Sequence, residues 1–171
     1  LKLRNFYRFY LVVYLILFTA YLSLHKDNQM NELKIGSVIP SFVLPDQNGN
    51  LFDMNSVIGK KNLVVYFYPK DDSPGCTAQA CSFQDQFEVF KEADAVIIGI
   101  SGQSVKSHKE FALKHRLTFT LLSDEGNKIR KQFGVPTNFL GLIPGRVTYV
   151  ADKTGKVIYI FNSQMNATRH V

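Results

Sequence analysis

The chain has 171 residues, 46% of them hydrophobic, which is enough for one buried core and too few for two full domains. Its formal net charge is +6, but no run of basic residues is interleaved with aromatic ones. The composition therefore argues against a nucleic-acid partner.

Residues 9–24 carry no charged side chain and follow a basic amino terminus. As a helix rising about 1.5 Å per residue they would span about 24 Å, less than the ~30 Å of a membrane's hydrocarbon core. We therefore expect residues 1–29 to be a leader, either a signal peptide or a short membrane anchor. Alternatively, Met30 is the true start and the preceding residues are translated from upstream sequence. The first case predicts an exported or membrane-attached protein, and the second predicts a cytoplasmic one.

Strand-like and helix-like patterns alternate along the domain predicted for residues 30–171. This domain opens with a hairpin that turns at Asn48-Gly49 and closes with a second hairpin at residues 146–161. Between them we expect, in chain order, a strand at 62–69, a helix at 74–93, a strand at 95–101, a helix from the Ser104 cap to about 115, a strand at 119–124 and a helix at 127–133. This order predicts an α/β fold, with a mixed central sheet and helices on both faces.

The two cysteines of the chain, Cys76 and Cys81, lie in the stretch YPKDDSPGCTAQACSF. Ser73 is a favoured N-cap residue, and Pro74 suits the first helical position because its missing N–H would have no partner there. Cys76 then stands in the first turn, where free backbone N–H groups and the helix dipole favour a thiolate over a thiol. Cys76 is therefore the candidate nucleophile, and Gly75 leaves room for something small to approach it.

Cys81 lies five positions further along the same predicted helix. At 1.5 Å and about 100° per residue, the two Cα atoms would stand roughly 8.6 Å apart. A disulfide needs Cα atoms within about 6.8 Å, so the two sulfur atoms can join only after the first turns of the helix unwind. The spacing predicts a redox cycle rather than a static cross-link.

The segment PKDDSPGC fits the peroxiredoxin pattern of proline, three residues, Thr or Ser, two residues and cysteine. The wider stretch YFYPKDDSPGCTAQACSF closely resembles the bacterioferritin comigratory protein subfamily, also called peroxiredoxin Q. Further matches are FVLPDQNG, VIIGIS, FTLLSD and IPGRVTYVADKTGKV, so the resemblance covers nearly all of residues 31–171. It implies a thioredoxin-like fold, no cofactor, and thiol-dependent reduction of hydrogen peroxide and organic hydroperoxides. Family members usually end in a longer C-terminal helix, which here would stop near its first turn.

The resemblance implies a role for five residues. Cys76 would attack the peroxide and become a sulfenic acid, and Cys81 would condense with it to an intramolecular disulfide that a thioredoxin or similar dithiol reduces. Arg146 would hold the thiolate and stabilise charge that develops in the transition state. Ser73 would hydrogen-bond the substrate oxygen or the thiolate, and Pro69 would shield the pocket from water. Because this subfamily is often monomeric, we also expect a monomer.

Other functions share some of these features. A thiol:disulfide oxidoreductase without peroxidase activity has the same fold but uses Cys-x-x-Cys, typically after Trp, and this chain has no Trp. A glutathione peroxidase needs a catalytic Trp, and a binding module with a structural disulfide would place its cysteines on separate elements. A thiol:disulfide oxidoreductase without peroxidase activity is therefore the alternative to a thiol-dependent peroxidase. The four histidines lack metal-ligand spacing, so we expect no metal site.

Overall fold

The computed structural model describes residues 32–138 and 143–171. The leader predicted at residues 1–29, with its apolar segment 9–24, lies outside the described residues. Residues Glu32–Val171 cluster as one unit. Within the part of the chain that the structure describes, no helix combines the length and the apolar character needed to cross a membrane.

Nine strands and four α-helices occur in the described residues. The strands are β1 (Val43–Pro45), β2 (Leu51–Asp53), β3 (Asn62–Phe67), β4 (Ala95–Ser101), β5 (Thr120–Ser123), β6 (Thr137–Asn138), β7 (Ile143–Pro144), β8 (Val147–Ala151) and β9 (Val157–Asn162). The helices are α1 (Pro74–Asp85), α2 (Phe87–Glu92), α3 (Val105–His115) and α4 (Lys128–Gln132). Short 3-10 turns occupy Met54–Ser56 and Ala167–His170.

A mixed five-stranded sheet forms the centre of the domain, in the order β5-β4-β3-β8-β9. β3 pairs in parallel with β4 and antiparallel with β8, so it lies in the middle of the sheet and is covered on both faces. This burial explains why its sequence is continuously apolar and aromatic. The carboxyl end of β3 leads directly into the loop that carries the predicted nucleophile.

The core has two halves, one on each face of the sheet, because neighbouring residues of a strand point to opposite sides. The half beneath α1 and α3 includes Val64, Tyr66, Cys76, Phe83 and Phe111. The opposite half, beside α4, includes Leu63, Val65, Phe67, Ile129 and Phe133. The predicted mixed sheet with helices on both faces is therefore confirmed.

Both predicted hairpins are present. β1 pairs antiparallel with β2, and Gly49 at the turn has a φ of +85°, a conformation that glycine adopts without strain. β8 and β9 form the closing hairpin around a turn at Gly155. The small sheet of β6 and β7 was not predicted, because two-residue strands leave too little pattern to detect.

The single helix predicted at 74–93 is wrong in one respect, because the chain forms two helices there. α1 and α2 are separated at Gln86, whose φ and ψ are −103° and 11° and whose N–H donates to the carbonyl of Gln84 instead of continuing the helical ladder. No glycine or proline marks this position in the sequence, and the Phe83, Phe87 and Phe90 spacing continues across it. The periodicity therefore gave no sign of the break.

Gly99 makes room for Tyr66 in the core, which yields a prediction. A Cβ at Gly99 would lie 2.7 Å from Tyr66 Cζ and 2.8 Å from Leu121 Cδ2, and both side chains are buried. We expect Gly99→Ala to lower the free energy of unfolding by about 1–3 kcal/mol through overpacking. Urea denaturation measures this change.

Gly126→Ala is the matched control, because nothing lies within 4 Å of the Cβ that it would add. Its free energy of unfolding should stay within about 0.5 kcal/mol of wild type. Equal destabilisation by the two substitutions would contradict the packing explanation.

Candidate active site

Cys76 lies in the first turn of α1 and is only 2% exposed. The helix begins at Pro74 with Ser73 at the N-cap position, as the sequence predicted. Thr77 N–H donates to the Ser73 carbonyl at 2.9 Å, which closes the first turn around Gly75 and Cys76. The thiol therefore faces the positive end of the helix from within the protein, where little water screens the field.

Arg146 stands opposite Cys76 at the entrance to β8. Its Nη2 donates a hydrogen bond to Cys76 Sγ over 3.2 Å, and the guanidinium side chain is buried. The contact places a full positive charge beside the sulfur atom. Gly75 permits the approach, since a Cβ there would lie 3.3 Å from Arg146 Nη2.

Gln79 completes the arrangement and was not anticipated from the sequence. It lies one turn after Cys76 and is fully buried, and its Oε1 accepts a hydrogen bond from Arg146 Nη1. The two ends of the Arg146 fork are thereby attached to one face of α1. Within the described residues, Arg146 Nε and Gln79 Nε2 are buried donors with no hydrogen-bond partner.

A second buried arginine, Arg130 in α4, holds two chain segments next to the site. Its Nη1 donates to the carbonyl of Gly145 and its Nη2 to the carbonyl of Tyr68, both at 2.8 Å. These carbonyls precede Arg146 and Pro69, so Arg130 joins the two chain segments that frame the site. Burial lowers the pKa of Arg130 to about 10, against the opposing charges of Asp124 and Cys76. Nothing in its sequence context distinguishes Arg130 from a surface residue.

Ser73 and Pro69 lie next to the site in the chain, and both are partly buried. Ser73 occupies the N-cap position but makes no side-chain cap, because its hydroxyl donates instead to the Lys70 carbonyl at 3.0 Å. Its oxygen keeps the capacity to accept a further hydrogen bond. The substrate-binding role of Ser73 and the shielding role of Pro69 stay predictions.

Cys81 lies on the same helix as Cys76, four residues before α1 ends. Both cysteines are free thiols, and Cys81 is partly exposed whereas Cys76 is buried. The unbroken helix between them agrees with the geometric expectation that a bond between the two sulfur atoms requires α1 to unwind.

The C-terminal 3-10 turn packs against the start of α1. Ala167 lies near Gly75, and His170 contacts β8 through a 2.9 Å hydrogen bond between its Nδ1 and Thr148 Oγ1. The other ring nitrogen, Nε2, faces the carbonyl of Ser163 at 2.8 Å. This pattern fits a neutral imidazole that donates from Nε2 and accepts at Nδ1.

The sequence profile of the AhpC/TSA family matches residues 35–160. The chain belongs to this family. Chloroplastic peroxiredoxin Q of Triticum aestivum is 54% identical over 136 residues, which are 80% of this chain and 62% of that protein. The corresponding protein of Sedum lineare is 50% identical over 148 residues, covering 86% of this chain and 79% of the relative. The chain thus spans slightly less than two thirds of the length of its wheat relative.

Solved structures of AhpC/TSA relatives have the same fold. Peroxidoxin BcpB of Mycobacterium tuberculosis superimposes with a TM-score of 0.75 at 34% identity, covering 81% of this chain and 92% of that one. A mutant of Xanthomonas campestris peroxiredoxin Q gives 0.69 at 31% identity, over 75% and 85% of the two chains. The predicted thioredoxin-like fold and the resemblance to peroxiredoxin Q are both confirmed.

His170 should make stability depend on pH. Burial lowers its pKa below the ordinary 6.5, the Ser163 hydrogen bond opposes this change, and the nearby Arg146 charge adds to it. A depressed folded-state pKa means that the stabilisation is present above pH 6.5 and is lost as the pH falls through the folded value. We expect the free energy of unfolding to drop between pH 7.5 and 5.5, and to drop less in His170→Asn. Urea denaturation at the two pH values measures both changes. An equal loss of unfolding free energy in the wild type and in His170→Asn would refute the prediction.

Proposed function

We propose that this protein is a thiol-dependent peroxidase of the atypical two-cysteine type. The observation that carries the proposal is the 3.2 Å hydrogen bond from Arg146 Nη2 to Cys76 Sγ at the start of a helix. A buried thiol beside a guanidinium and a helix N-terminus has the surroundings of a reactive nucleophile. The chain's membership of the AhpC/TSA family supports the same reaction class.

In the first half-reaction the Cys76 thiolate attacks one oxygen of the peroxide. The O–O bond breaks, sulfur keeps the attacked oxygen as a sulfenic acid, and the other oxygen takes up a proton and leaves as water or an alcohol. Arg146 and the free N–H of Gln79 stabilise the negative charge that moves onto the leaving oxygen. Ser73 hydrogen-bonds the bound peroxide or the thiolate, and Pro69 limits access of water.

In the second half-reaction α1 unwinds and Cys81 attacks the oxidised sulfur of Cys76. A disulfide forms and one water molecule leaves, so the two protein thiols are oxidised while the peroxide is reduced. A dithiol protein of the thioredoxin type then returns both cysteines to thiols and becomes a disulfide itself. The partly exposed position of Cys81 supports this step, because the reductant has to reach one of the two sulfur atoms.

The substrates are hydrogen peroxide and organic hydroperoxides. One bacterioferritin comigratory protein structure, from Xanthomonas campestris, is described for its alkyl peroxide reduction activity and has a TM-score of 0.69 at 30% identity. The same chemistry at Cys76 needs only an accessible O–O bond, so an alkyl group on the second oxygen is compatible with it. The chain uses no cofactor in this scheme.

Two further features of the protein stay proposals. We expect a monomer, since α1, the 3-10 turn at Ala167–His170 and β8 complete the surroundings of Cys76 within one chain. The predicted location is the cytoplasm, or a membrane or exported site reached through residues 9–24. The chloroplastic names of the plant relatives support an N-terminal targeting segment in this group of proteins.

Cysteine substitutions test the proposed function directly. We expect Cys76→Ser to abolish peroxide-dependent oxidation of reduced thioredoxin. Cys81→Ser should still react with one equivalent of peroxide but should not turn over, because no resolving thiol remains. Peroxide consumption and disulfide content are measured together. Turnover in Cys76→Ser would overturn the proposal, and reduction of insulin disulfides without peroxide would favour the oxidoreductase alternative.

Arg146→Lys tests the contribution of the guanidinium. Lysine keeps the positive charge but cannot bond Cys76 Sγ and Gln79 Oε1 with a planar fork. We expect the second-order rate constant for peroxide to fall by about 10²-fold, as when one transition-state donor is lost. Stopped-flow kinetics of the reduced protein measures it.

Arg169→Lys is the matched control, because Arg169 is exposed in the neighbouring 3-10 turn. Its rate constant should equal that of the wild type. If Arg146→Lys also reacted at the wild-type rate, the guanidinium would have no part in the chemistry.

A further inference from the structure

A buried polar cluster lies beside the loop that joins β3 to α1. Asp71, which is 5% exposed, accepts three hydrogen bonds through its carboxylate. Tyr68 Oη donates to Oδ1 at 2.8 Å, Ser107 Oγ donates to Oδ2 at 2.6 Å, and His108 Nδ1 lies 2.9 Å from Oδ2. Ser107 and His108 belong to α3, so this cluster ties the loop to a different helix from the one that carries the cysteines.

His108 contacts the carboxylate from a buried position in α3. The ring is fully buried, and its second nitrogen, Nε2, faces the Leu122 carbonyl at 3.2 Å. Both ring nitrogens therefore face oxygen atoms of the protein. Burial alone would raise the pKa of Asp71, but the hydrogen bond and charge of His108, with bonds from Ser107 and Tyr68, lower it below its ordinary value. A buried pair of this kind is costly to separate.

The loop is also held at two other points. Arg130 Nη2 donates to the Tyr68 carbonyl at 2.8 Å, and the Tyr68 N–H donates to the Ile100 carbonyl at 3.2 Å. At the end of the loop, Ser73 Oγ donates a hydrogen bond to the Lys70 carbonyl at 3.0 Å. Residues 68–73 are thus attached to β4, α3 and α4 through buried or partly buried groups.

The start of α1, immediately after this loop, lacks local capping contacts and is held through the Arg146 bonds to Cys76 and Gln79 and through packing of the 3-10 turn. Ser73 makes no side-chain cap, and the first turn contains no acidic residue. Capping side chains and first-turn carboxylates typically stabilise a helix start, so their absence at Pro74–Thr77 makes unwinding easier. The boundary between the loop held by the cluster and the uncapped helix falls at Ser73.

We propose that Asp71, Ser107 and His108 are positioning residues that keep the loop before α1 fixed while the first turns of that helix unwind to join Cys76 and Cys81. The inference rests on the proposed two-cysteine function. Because the cluster fixes the upstream end of the segment, the unwound segment gains less conformational entropy, so the wound helix, in which Cys76 meets Arg146, is favoured. The fixed loop also returns Cys76 to the same place after each reduction. It thereby sets the balance between reaction with peroxide and formation of the disulfide.

The wild-type protein provides the first test. Backbone amide hydrogen exchange is measured on the reduced form and on the form oxidised with one equivalent of hydrogen peroxide. We expect amides between Gly75 and Cys81 to lose protection on oxidation, while the amide of Tyr68 and the α3 amides keep theirs. Loss of protection at Tyr68 or within α3 would overturn the proposal, because the loop would then move together with the helix.

Substitution of Asp71 provides the second test. Asp71→Asn removes the charge that pairs with His108, so α1 should open more often. We expect the rate constant for disulfide formation from the Cys76 sulfenic acid to rise about tenfold, the effect of losing one hydrogen bond to a charged group. The fraction of Cys76 over-oxidised to sulfinic acid at high peroxide should fall correspondingly. Ser107→Ala, which removes one bond and no charge, should change both quantities in the same direction but less.

Asp72→Asn is the matched control. Asp72 also bonds α3, through Lys114 Nζ at 2.9 Å and His115 Nε2 at 3.0 Å, but it is exposed. Exposed ion pairs contribute little, so this variant should resolve its sulfenic acid at the wild-type rate. Asparagine also suits the left-handed backbone of this residue, whose φ is 54°.

The outcomes separate the two proposals. If the wild type neither consumes peroxide nor forms the Cys76–Cys81 disulfide, the proposed function fails. If the wild type does both but Asp71→Asn matches Asp72→Asn, the positioning role fails. It also fails if Asp71→Asn slows the peroxide reaction and the resolution step by the same factor, since general destabilisation alone would do that. A change in their ratio, with Ser107→Ala intermediate, supports it.

Discussion

The hydrogen bond between Arg146 and Cys76 is the contact on which the rest of the site depends. It joins the residue immediately before β8 to the first turn of α1, and it puts a buried cation beside a buried sulfur. Removing two such groups from water is costly unless each meets the other and further hydrogen bonds are made. Gln79 supplies one of those bonds from the same helix, and the absence of a side chain on Gly75 lets the guanidinium come close.

The proposed reaction makes two opposing demands on α1. The helix has to be wound for Cys76 to reach Arg146, and it has to come apart for Cys76 to reach Cys81. The chain segments before and after Ser73 are held in different ways, which meets both demands. Before Ser73 the chain is bound through Arg130 and through the Asp71 cluster, whereas after it the helix begins without a side-chain cap. Unwinding also removes Gln79 from Arg146, so the buried cation favours the return of the wound state.

Local patterns in the sequence were sufficient to predict the main elements and the position of Cys76 in the first turn of α1. β3 and β4 are continuous apolar runs, and Ser73-Pro74 marks the start of α1 as capping rules require. Arg146 was found only through resemblance to a family motif. Arg130, Gln79 and the Asp71–His108 pair were missed, because the partners that give them their roles lie between 15 and 67 positions away in the chain. Hydrophobic periodicity predicts which face of a segment packs on the core. It does not predict which distant side chain that segment contacts.

The interruption at Gln86 has a mechanical consequence for the rearrangement of α1. Because the helical ladder stops there, the proposed unwinding near Pro74 need not continue into the segment Phe87–Glu92. Phe90 can keep its aromatic contact with Phe83, whose ring anchors the last part of α1 to the core. In the proposed cycle, the segment that unwinds therefore lies between the fixed loop at residues 68–73 and the break at Gln86. A short chain can in this way tolerate repeated local melting while its interior stays assembled.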